Sequence, residues 1–419
     1  MAETAPPTLR AFVNERPVTV PRGARVRDAV AALDLRLADQ LAAGEAYVTD
    51  ARGIQVAAED AVGEAGAVYR VVASARPGGA MLSKDMLHRW PKVELHVHLD
   101  GCLRPETMLE LARKQGVKLP ADTPGALAAK LSVKGARNLE EYLVSYGTTL
   151  SVMQTPEALE RIAYEFVADV AAENVRYVEV RYSPLLHRPA LTMTEAIEAP
   201  LRGFQRGMAE TGTKVGVIVC GIRTRAPAES LELAKAAVEY RSAGVVAYDL
   251  AGAERDHPAR EHRAAFEYAA GHGMFCTCHA GEGAGADSVR EAIHVCGATR
   301  IGHGTRVGED AELLAEVVEK QIPLEMCVTS NLHTHTVETL AAHPARTYLA
   351  QRVRVTLNTD GRLMDGITLT DEYHLAHTAL GFTKADLARV VLNGCESAFL
   401  PDSERVALVA RIQSDLEAL

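Results

Sequence analysis

Short apolar runs alternate with longer helical stretches from residue 92 to the C-terminus, and this alternation limits the fold more than any other feature. In order, the runs are "KVELHVHL", "VRYVEVRYSP", "KVGVIVCGI", "VVAYDLAG", "MFCTCHAGE", "RIGHGT", "PLEMCVTSN" and "RVTLNTD". The segments between them, such as "LERIAYEFVADVAAE", have the apolar spacing typical of amphipathic helices. Eight repeats of a strand followed by a helix predict an α/β fold, a (β/α)8 TIM-like barrel over residues 92–419.

The carboxyl ends of the predicted strands are the expected place for function, because barrel active sites lie there. Imidazoles and carboxylates occur at these ends: His96 and His98 in strand 1, His279 and Glu282 at strand 5, His303 in strand 6, and Asp360 at strand 8. The histidines of strand 1 are two residues apart and so point to the same face. Imidazole nitrogen and carboxylate oxygen are ligands that Zn²⁺ takes, so the pattern predicts a metal site.

Each of these residues also has a structural interpretation when it is taken alone. A single histidine in a strand is more often a hydrogen-bonded core residue than a ligand, and Glu282 could be an acid favoured by a helix N-terminus. His333 and His335 repeat the spacing of strand 1 in an apparent loop and are weaker candidates for substrate contact. Three further histidines are interpreted as ordinary surface or loop positions: His257, His272 and His343. The coincidence of the main candidates with strand ends favours the functional interpretation.

Residues 1–76 follow a different pattern, which predicts a small α+β domain. "LRAFVN" and "VTVP" alternate apolar and polar residues around the turn "NERP" and predict a hairpin. A helical spacing of apolar residues begins at Val26, and "EAYVTD", "GIQV" and "AVYRVVAS" predict further strands. This order resembles the β-grasp fold of ubiquitin-like sulfur carriers.

The segment "ARPGG", residues 75–79, stands where such carriers end in Gly-Gly. A second domain follows here, so carrier chemistry would require cleavage after Gly79. The alternative is that the two glycines belong to a flexible linker, residues 77–91, and Met81 could serve as an internal start of the second domain.

The amino-acid composition limits the kinds of partner and the cellular compartment that we expect. A net charge of −10 without a basic stripe argues against a nucleic acid polymer as partner. No run of about 18 apolar residues occurs and the N-terminus lacks an apolar leader, so we expect neither a membrane partner nor secretion. Seven cysteines in apolar segments are typical of free thiols in a reducing cytoplasm. We therefore expect a cytoplasmic protein, and a homo-oligomer remains open.

Several stretches occur in the order found in one enzyme family: "KVELHVHLDG", "IAYEFV", "YVEVRYSP", "DLAG", "HAGE", "IGHGTR" and "NTD". The second domain resembles the adenosine deaminase family of the amidohydrolase superfamily, from about Trp90 to Leu400. The resemblance implies one Zn²⁺ per chain with four ligands: His96, His98, His279 and Asp360. It further implies Glu282 as proton donor to the purine ring and His303 as the residue that handles the proton of the attacking water. Two substrate contacts are implied as well, by Asp100 to a ribose hydroxyl and by the Gly252 backbone to the purine.

The expected reaction is hydrolytic deamination of adenosine or 2′-deoxyadenosine to inosine or 2′-deoxyinosine plus ammonia. A bound Zn²⁺ lowers the pKa of water to about 7, and Asp360 and His303 can accept the proton. Attack at C6 is eased if N1 is protonated, which requires a neutral Glu282, and burial raises a carboxyl pKa in that direction. One alternative is a deaminase of another 6-aminopurine nucleoside or derivative. An alternative from another class is a carrier or binding protein whose β-grasp unit is the working part.

Two related chemistries fit less well. Two-metal members of the superfamily commonly carry a bridging lysine at the end of strand 4, whereas "VVAYDLAG" has none, so a single metal is expected. Zinc deaminases of polynucleotides use H-x-E with P-C-x-x-C, which "FCTCHAGE" does not match.

The stretch "NLEEYLVSYG", residues 138–147, predicts one helix with four residues on a single face: Leu139, Tyr142, Leu143 and Tyr146. In the family a similar helix forms an apolar lid over the nucleoside, which would exclude water. An ordinary amphipathic helix packed on the barrel is the alternative.

Gly361 is a departure from the family pattern, which usually has a second acid after the ligand aspartate. In the family that side chain recognises purine N7. Three arrangements are open: a water fills the space, Asp365 or Arg362 takes over the contact, or the substrate presents N7 differently. A structural alternative is that the chain needs a positive φ at this glycine. Without a substitute contact we expect adenosine turnover with a reduced kcat/KM, and 7-deazaadenosine should lose little relative to adenosine.

Overall fold

The computed structural model describes residues 8–42, 46–51, 55–73 and 81–419. The chain divides into two compact units, Met1–Leu82 and Ser83–Leu419. Residues 75–79, on which the carrier and linker interpretations depend, lie outside the described residues. Part of the range expected as linker is regular structure, because Lys84–Arg89 form a helix that Ser83 caps through its side chain.

In its described residues, the first unit is a five-stranded mixed sheet with two helices. Its elements are β1 Thr8–Val13, β2 Arg16–Pro21, α1 Val26–Leu33, α2 Leu35–Ala42, β3 Ala46–Asp50, β4 Gln55–Val56 and β5 Val68–Ala73. The strand order is β2-β1-β5-β3-β4, with β1 and β2 antiparallel and β1 and β5 parallel. The expected hairpin and first helix are present, whereas α2 was not expected from the sequence. It forms because one apolar face, including Leu37 and Leu41, packs on the core of the unit.

The second unit is built on eight parallel strands in sequential order, which confirms the barrel prediction. The strands are β6 Lys92–His98, β7 Val175–Tyr182, β8 Lys214–Ile222, β9 Val245–Ala251, β10 Phe275–Ala280, β11 Arg300–His303, β12 Leu324–Met326 and β13 Val355–Leu357. Nearly every residue of these strands is buried, as expected when helices cover the outside and side chains fill the inside.

Helices connect and surround the strands. They are α3 Lys84–Arg89, α4 Pro105–Gln115, α5 Pro124–Leu131, α6 Leu139–Val144, α7 Tyr146–Leu150, α8 Pro156–Ala172, α9 Met193–Thr211, α10 Pro227–Glu239, α11 Arg263–Gly271, α12 Ala286–His294, α13 Ala311–Glu319, α14 Val328–His333, α15 Ala345–Ala350, α16 Arg362–Asp365, α17 Leu369–Thr378, α18 Lys384–Ser397 and α19 Asp402–Glu417. In the part of the chain that the structure describes, no helix is long and apolar enough to cross a bilayer. All seven cysteines are free thiols.

The barrel closes between its first and last strands at the site candidates themselves. A parallel bridge joins Val97 to Asp360. The His98 N–H donates to the Asp360 carbonyl at 2.7 Å, and the Asp360 N–H donates to the His96 carbonyl at 3.1 Å. The backbone that closes the barrel therefore also sets the spacing of three predicted metal ligands.

The seventh run is where the strand prediction was partly wrong. Only Leu324–Met326 form a strand, and the following "VTSN" begins helix α14. The carboxylate of Glu372 accepts hydrogen bonds from the backbone N–H groups of Val328 and Thr329, each at 3.1 Å. A distant acid thus satisfies the first turn of this helix, which local β-propensity cannot reveal.

Candidate active site

A cavity of about 250 Å³ opens at the carboxyl ends of the barrel strands, where the sequence placed the site. It brings together most of the predicted residues: His98, Asp100, Leu139, Tyr142, Leu143, Tyr146, Gly252, His279, Glu282, His303 and Asp360. His96 is fully buried below them. A largely apolar cavity with a few convergent polar groups is typical of a small-molecule site.

Ligand atoms of four residues lie within 4.8 Å of one another: those of His96, His279, His303 and Asp360. His98 adjoins this group, with Nε2 3.1 Å from His279 Nε2 and 3.4 Å from Asp360 Oδ1. Five of the predicted residues therefore converge, one more than a tetrahedral zinc site needs. The hydrogen bonds behind each imidazole distinguish their roles.

Buried acids hold two of the histidines from behind. His96 Nδ1 lies 2.8 Å from Glu325 Oε2, and His279 Nδ1 lies 3.0 Å from Asp249 Oδ2. Each acid accepts the Nδ1 hydrogen, which leaves the Nε2 lone pair free to face the cluster. His96 Nε2 is fully buried and has no hydrogen-bond partner, as expected of a nitrogen shaped to bind a metal.

Arg181 links the two supporting acids across the barrel interior. Its guanidinium donates to Asp249 at 2.9 Å and to Glu325 at 2.7 Å, and all three side chains are fully buried. Arg300 pairs with Glu325 and with Glu179 one layer further from the mouth. The sequence prediction missed these residues. Acids inside otherwise apolar strands, as in "PLEMC" and "YVEVR", are the signal that could have found them.

Asp360 and His303 occupy strained positions at the mouth. Both have a left-handed backbone, with φ of 61° for Asp360 and 62° for His303, which is uncommon for residues with a side chain. The Ser330 hydroxyl donates to Asp360 Oδ2 at 2.6 Å, leaving Oδ1 beside His96 and His98. The strained backbone turns both side chains toward the cavity.

His303 differs from the other imidazoles because its Nδ1 faces a donor. Asn331 accepts a hydrogen bond from Thr305 through Oδ1 at 2.7 Å, so its Nδ2 donates to His303 Nδ1 at 3.1 Å. The remaining nitrogen, Nε2, then carries the hydrogen of the neutral ring and points at Glu282, 3.4 Å away. This tautomer suits a proton-handling residue rather than a metal ligand.

His343 supports the same arrangement; it lies in a loop, as the sequence indicated, but it is buried rather than at the surface. It is 4% exposed. Its Nδ1 accepts a hydrogen bond from the Ala345 N–H at 3.3 Å. Its Nε2 donates to Asn331 Oδ1, also at 3.3 Å. It therefore helps to fix the orientation of the Asn331 amide. His272 is exposed, as expected.

Glu282 begins the segment before helix α12, and a second acid holds that segment. The Glu254 carboxylate accepts four backbone N–H groups at 2.6–3.0 Å, those of Gly281, Glu282, Gly283 and Ala284. Burial raises the pKa of Glu282 well above its usual range, and the charges of Asp360 and Glu254 raise it further. Its Oε1 has no hydrogen-bond partner, so a protonated carboxyl there can donate to a ligand.

Asp100 and Gly252 line other parts of the same cavity. Asp100 lies in a short 3-10 turn after β6, and burial raises its pKa to about 7. Its Oδ1 is 3.9 Å from His98 Nδ1 and has no hydrogen-bond partner. Gly252 has a φ of 98°, which exposes its backbone to the cavity in a conformation that favours glycine.

The predicted lid is two short helices instead of one. Helix α6 ends at Val144 and α7 begins at Tyr146. The four predicted residues nevertheless all line the cavity. The break separates the two tyrosines, whose ring centroids are 5.9 Å apart.

His333 and His335 do not line this cavity. His333 ends helix α14 rather than lying in a loop, and its Nδ1 donates to Asp365 Oδ1 at 2.7 Å. Tyr142 donates to the other oxygen of Asp365 at 3.0 Å. His333 is therefore connected to the cavity-lining Tyr142 through Asp365 and does not itself reach the cavity.

The parallel barrel, the cluster of imidazoles and carboxylate at its mouth and the buried acid beside them define a metal-dependent hydrolase of the amidohydrolase type. The sequence profile of the adenosine deaminase family matches residues 91–415. This chain belongs to the adenosine deaminase family and is a hydrolytic deaminase.

Individual relatives agree with this assignment. An adenosine deaminase of Mycobacterium avium is 39% identical over 354 residues, which cover 80% of this chain and 97% of the relative. An adenine deaminase from Arthrobacter aurescens superposes with a TM-score of 0.73 at 26% identity, covering 78% of this chain and 99% of that one. A zinc-bound amidohydrolase from Burkholderia ambifaria gives a TM-score of 0.74 at 26% identity, covering 82% and 95%.

Proposed function

We propose that this protein is a zinc-dependent enzyme that deaminates adenosine and 2′-deoxyadenosine to the corresponding inosines with release of ammonia. The observation that carries the proposal is the buried Glu282 carboxyl, which lines the cavity, lies beside His303 through Oε2 and has no hydrogen-bond partner on Oε1. A 6-aminopurine needs a proton at N1 while water attacks C6, and these groups supply both ends of that reaction.

The metal assignment rests on the donor set. His96, His98, His279 and Asp360 hold one Zn²⁺, since imidazole nitrogen and carboxylate oxygen suit this ion and His96 Nε2 is otherwise orphaned. Bound there, Zn²⁺ supplies the Lewis acid that makes water a nucleophile at neutral pH. Relatives at about 40% identity support the substrate, and the zinc-bound neighbour supports the ion.

The remaining residues bind and orient the nucleoside and move protons. His303, with hydrogen on Nε2, would orient the attacking water by donating a hydrogen bond to its oxygen, and the Asp360 carboxylate would accept the proton that this water loses. Glu282 donates to N1. Asp100 accepts a hydrogen bond from a ribose hydroxyl, and the Gly252 backbone contacts the purine. The apolar side chains of Leu139 and Leu143 cover the nucleoside and exclude water.

The test is an ammonia-release assay of the zinc-loaded protein over adenosine, 2′-deoxyadenosine, adenine and adenosine 5′-monophosphate. The proposal expects the two nucleosides to give the highest kcat/KM. The alternative of another 6-aminopurine is favoured by one observation, the similarity to an adenine deaminase, and a preference for adenine or for the monophosphate would establish it instead.

A further inference from the structure

Two glycines flank the tip of the Tyr146 side chain at the mouth of the barrel. A Cβ on Gly361 would lie 2.6 Å from the Tyr146 hydroxyl oxygen and 2.8 Å from that of Tyr142. A Cβ on Gly101 would lie 2.9 Å from the Tyr146 hydroxyl. All three distances are shorter than a real Cβ tolerates, so a side chain at either position would have to displace the tyrosine hydroxyls.

Neither backbone conformation nor a neighbouring charged side chain accounts for Gly361. Its φ is −125°, so no positive φ requires a glycine there. Arg362 is held by ion pairs with Glu173 and Glu94. Asp365 accepts hydrogen bonds from Tyr142 and His333 and does not line the cavity. The hydroxyls of Tyr142 and Tyr146 are the polar groups that a side chain at position 361 would meet.

The hydrogen bonds leave one of the two hydroxyls available to a ligand. Tyr142 directs its hydrogen to Asp365 Oδ2 at 3.0 Å. The Tyr146 hydroxyl adjoins that of Tyr142, since both lie within 2.8 Å of the same Cβ position on Gly361, and Tyr146 lines the cavity, so its hydrogen can turn toward an acceptor there. Burial raises the pKa of both phenols well above the usual value, which keeps them protonated as donors.

The order of the strands in the barrel determines which edge of the purine the Tyr146 hydroxyl faces. Glu282 follows β10, whereas Tyr146 contacts the segments after β6 and β13, which adjoin at the barrel closure. Strand β10 is four strands from β6, so the acid and the hydroxyl face each other across the mouth. In a 6-aminopurine, N1 and N7 flank C6 on opposite edges. With N1 at Glu282 and C6 at the metal cluster, N7 is directed toward Tyr146.

We infer that the Tyr146 hydroxyl, which adjoins the Tyr142 hydroxyl bound to Asp365, donates the hydrogen bond that recognises N7 of the purine. The inference rests on the proposed function and names a specificity-determining residue for it. It departs from the sequence-based expectation that 7-deazaadenosine loses little, because a hydroxyl takes the place of the missing acid.

The first test compares adenosine with 7-deazaadenosine, which lacks the N7 acceptor, in wild type and Tyr146→Phe. Removing the hydroxyl should lower kcat/KM for adenosine about tenfold and leave 7-deazaadenosine nearly unchanged. The intrinsic reactivity of the two nucleosides cancels when variant and wild type are compared. Tyr240→Phe is the matched control, because its hydroxyl bonds Glu198 outside the cavity and its loss should leave both substrates unaffected.

Gly361→Ala tests the same inference without removing a hydroxyl. The added methyl group must displace the two tyrosine hydroxyls, so the preference for adenosine over 7-deazaadenosine should fall as it does in Tyr146→Phe, with unchanged zinc content. An equal loss for both nucleosides in Tyr146→Phe would mean that the hydroxyl only supports the fold, and an unchanged preference would mean that N7 is read elsewhere. Either result overturns the inference.

A binding measurement separates this inference from the proposed function. Purine riboside and 7-deazapurine riboside have no amino group, so calorimetry can compare their affinities without turnover. Tyr146→Phe should weaken purine riboside about tenfold and leave the 7-deaza analogue unchanged. If wild type does not deaminate adenosine, the proposed function fails, and this selective loss still decides whether Tyr146 recognises N7.

Discussion

Asn331 donates its side-chain amide hydrogen to Nδ1 of His303 across 3.1 Å, and this bond determines which nitrogen of the imidazole carries hydrogen. Thr305 and His343 fix the amide by donating to its oxygen. His96 and His279, the two proposed ligands supported from behind, have acids in the corresponding position. A single difference in hydrogen-bond polarity thus separates the proton-handling histidine from two proposed ligands.

Asn331→Asp should reverse the tautomer of His303, because a carboxylate accepts hydrogen from Nδ1 and leaves Nε2 bare. We expect kcat to fall about 10- to 100-fold, as is typical when a partner behind a site residue is changed. Zinc content measured by atomic absorption should stay at one ion per chain. Loss of the metal together with the activity would instead assign His303 to the ligand set.

His279→Ala should lose zinc and nearly all turnover, since the ion loses a ligand and Asp249 keeps only Arg181 of its two side-chain partners at the site. Metal analysis after dialysis and the rate of ammonia release measure the two effects. His272→Ala, at an exposed position, is the control and should match wild type in both. Full activity in a zinc-free His279→Ala preparation would contradict the metal assignment.

Glu282→Gln should retain zinc and lose about 10²- to 10⁴-fold in kcat, because an amide cannot deliver the proton to N1. Steady-state kinetics with metal analysis measure this. A change confined to KM would assign Glu282 to binding alone. Glu312→Gln, an exposed acid in helix α13, should have no effect.

The raised pKa of Glu282 also predicts a pH dependence. The acid must carry its proton to act, so wild-type kcat should fall as pH rises through the raised pKa. Because the folded state binds this proton more tightly than the unfolded state, its contribution to stability is complete below the ordinary carboxyl pKa and is lost as pH rises through the raised value. Glu282→Gln should lack this part of the pH dependence of the melting temperature. A wild-type kcat that rises steadily over the same interval would rule out a protonated Glu282 as the donor.

A truncated chain beginning at Met81 should fold and deaminate with a kcat/KM close to that of the full chain. Every proposed catalytic residue lies beyond this point, and Ser83–Leu419 form a compact unit. Circular dichroism and the ammonia assay, run beside the full-length protein, test this. An insoluble or inactive product would show that the N-terminal unit is needed by the barrel. Intact-mass analysis of the native protein tests carrier chemistry separately, since a fragment ending at Gly79 would establish cleavage there.

The architecture of the second unit and the chemical groups at its mouth were predictable from the order of the amino acids. Apolar strands separated by helical periods have few alternatives to a parallel barrel, and the strand ends of that barrel must meet. His96, His279 and Asp360 were therefore expected to be neighbours, although they are far apart along the chain. The apolar periodicity is a local property of each segment. The sequential order of strands in a parallel barrel brings the ends of distant segments close together.

The hydrogen-bond partners and the close neighbours of those residues could be identified only from the tertiary structure. Asp249 and Glu325 are unexplained acids within strands until the fold places them against imidazoles. His343 lies in a loop, as expected, but its burial and its hydrogen bond to Asn331 were not expected, because Asn331 belongs to another element. Gly361 has an ordinary φ, and a side chain there would meet two hydroxyls that come from residues more than 200 positions earlier. Hydrogen-bond partners and steric exclusion are relations between distant segments, so no local pattern in the sequence encodes them.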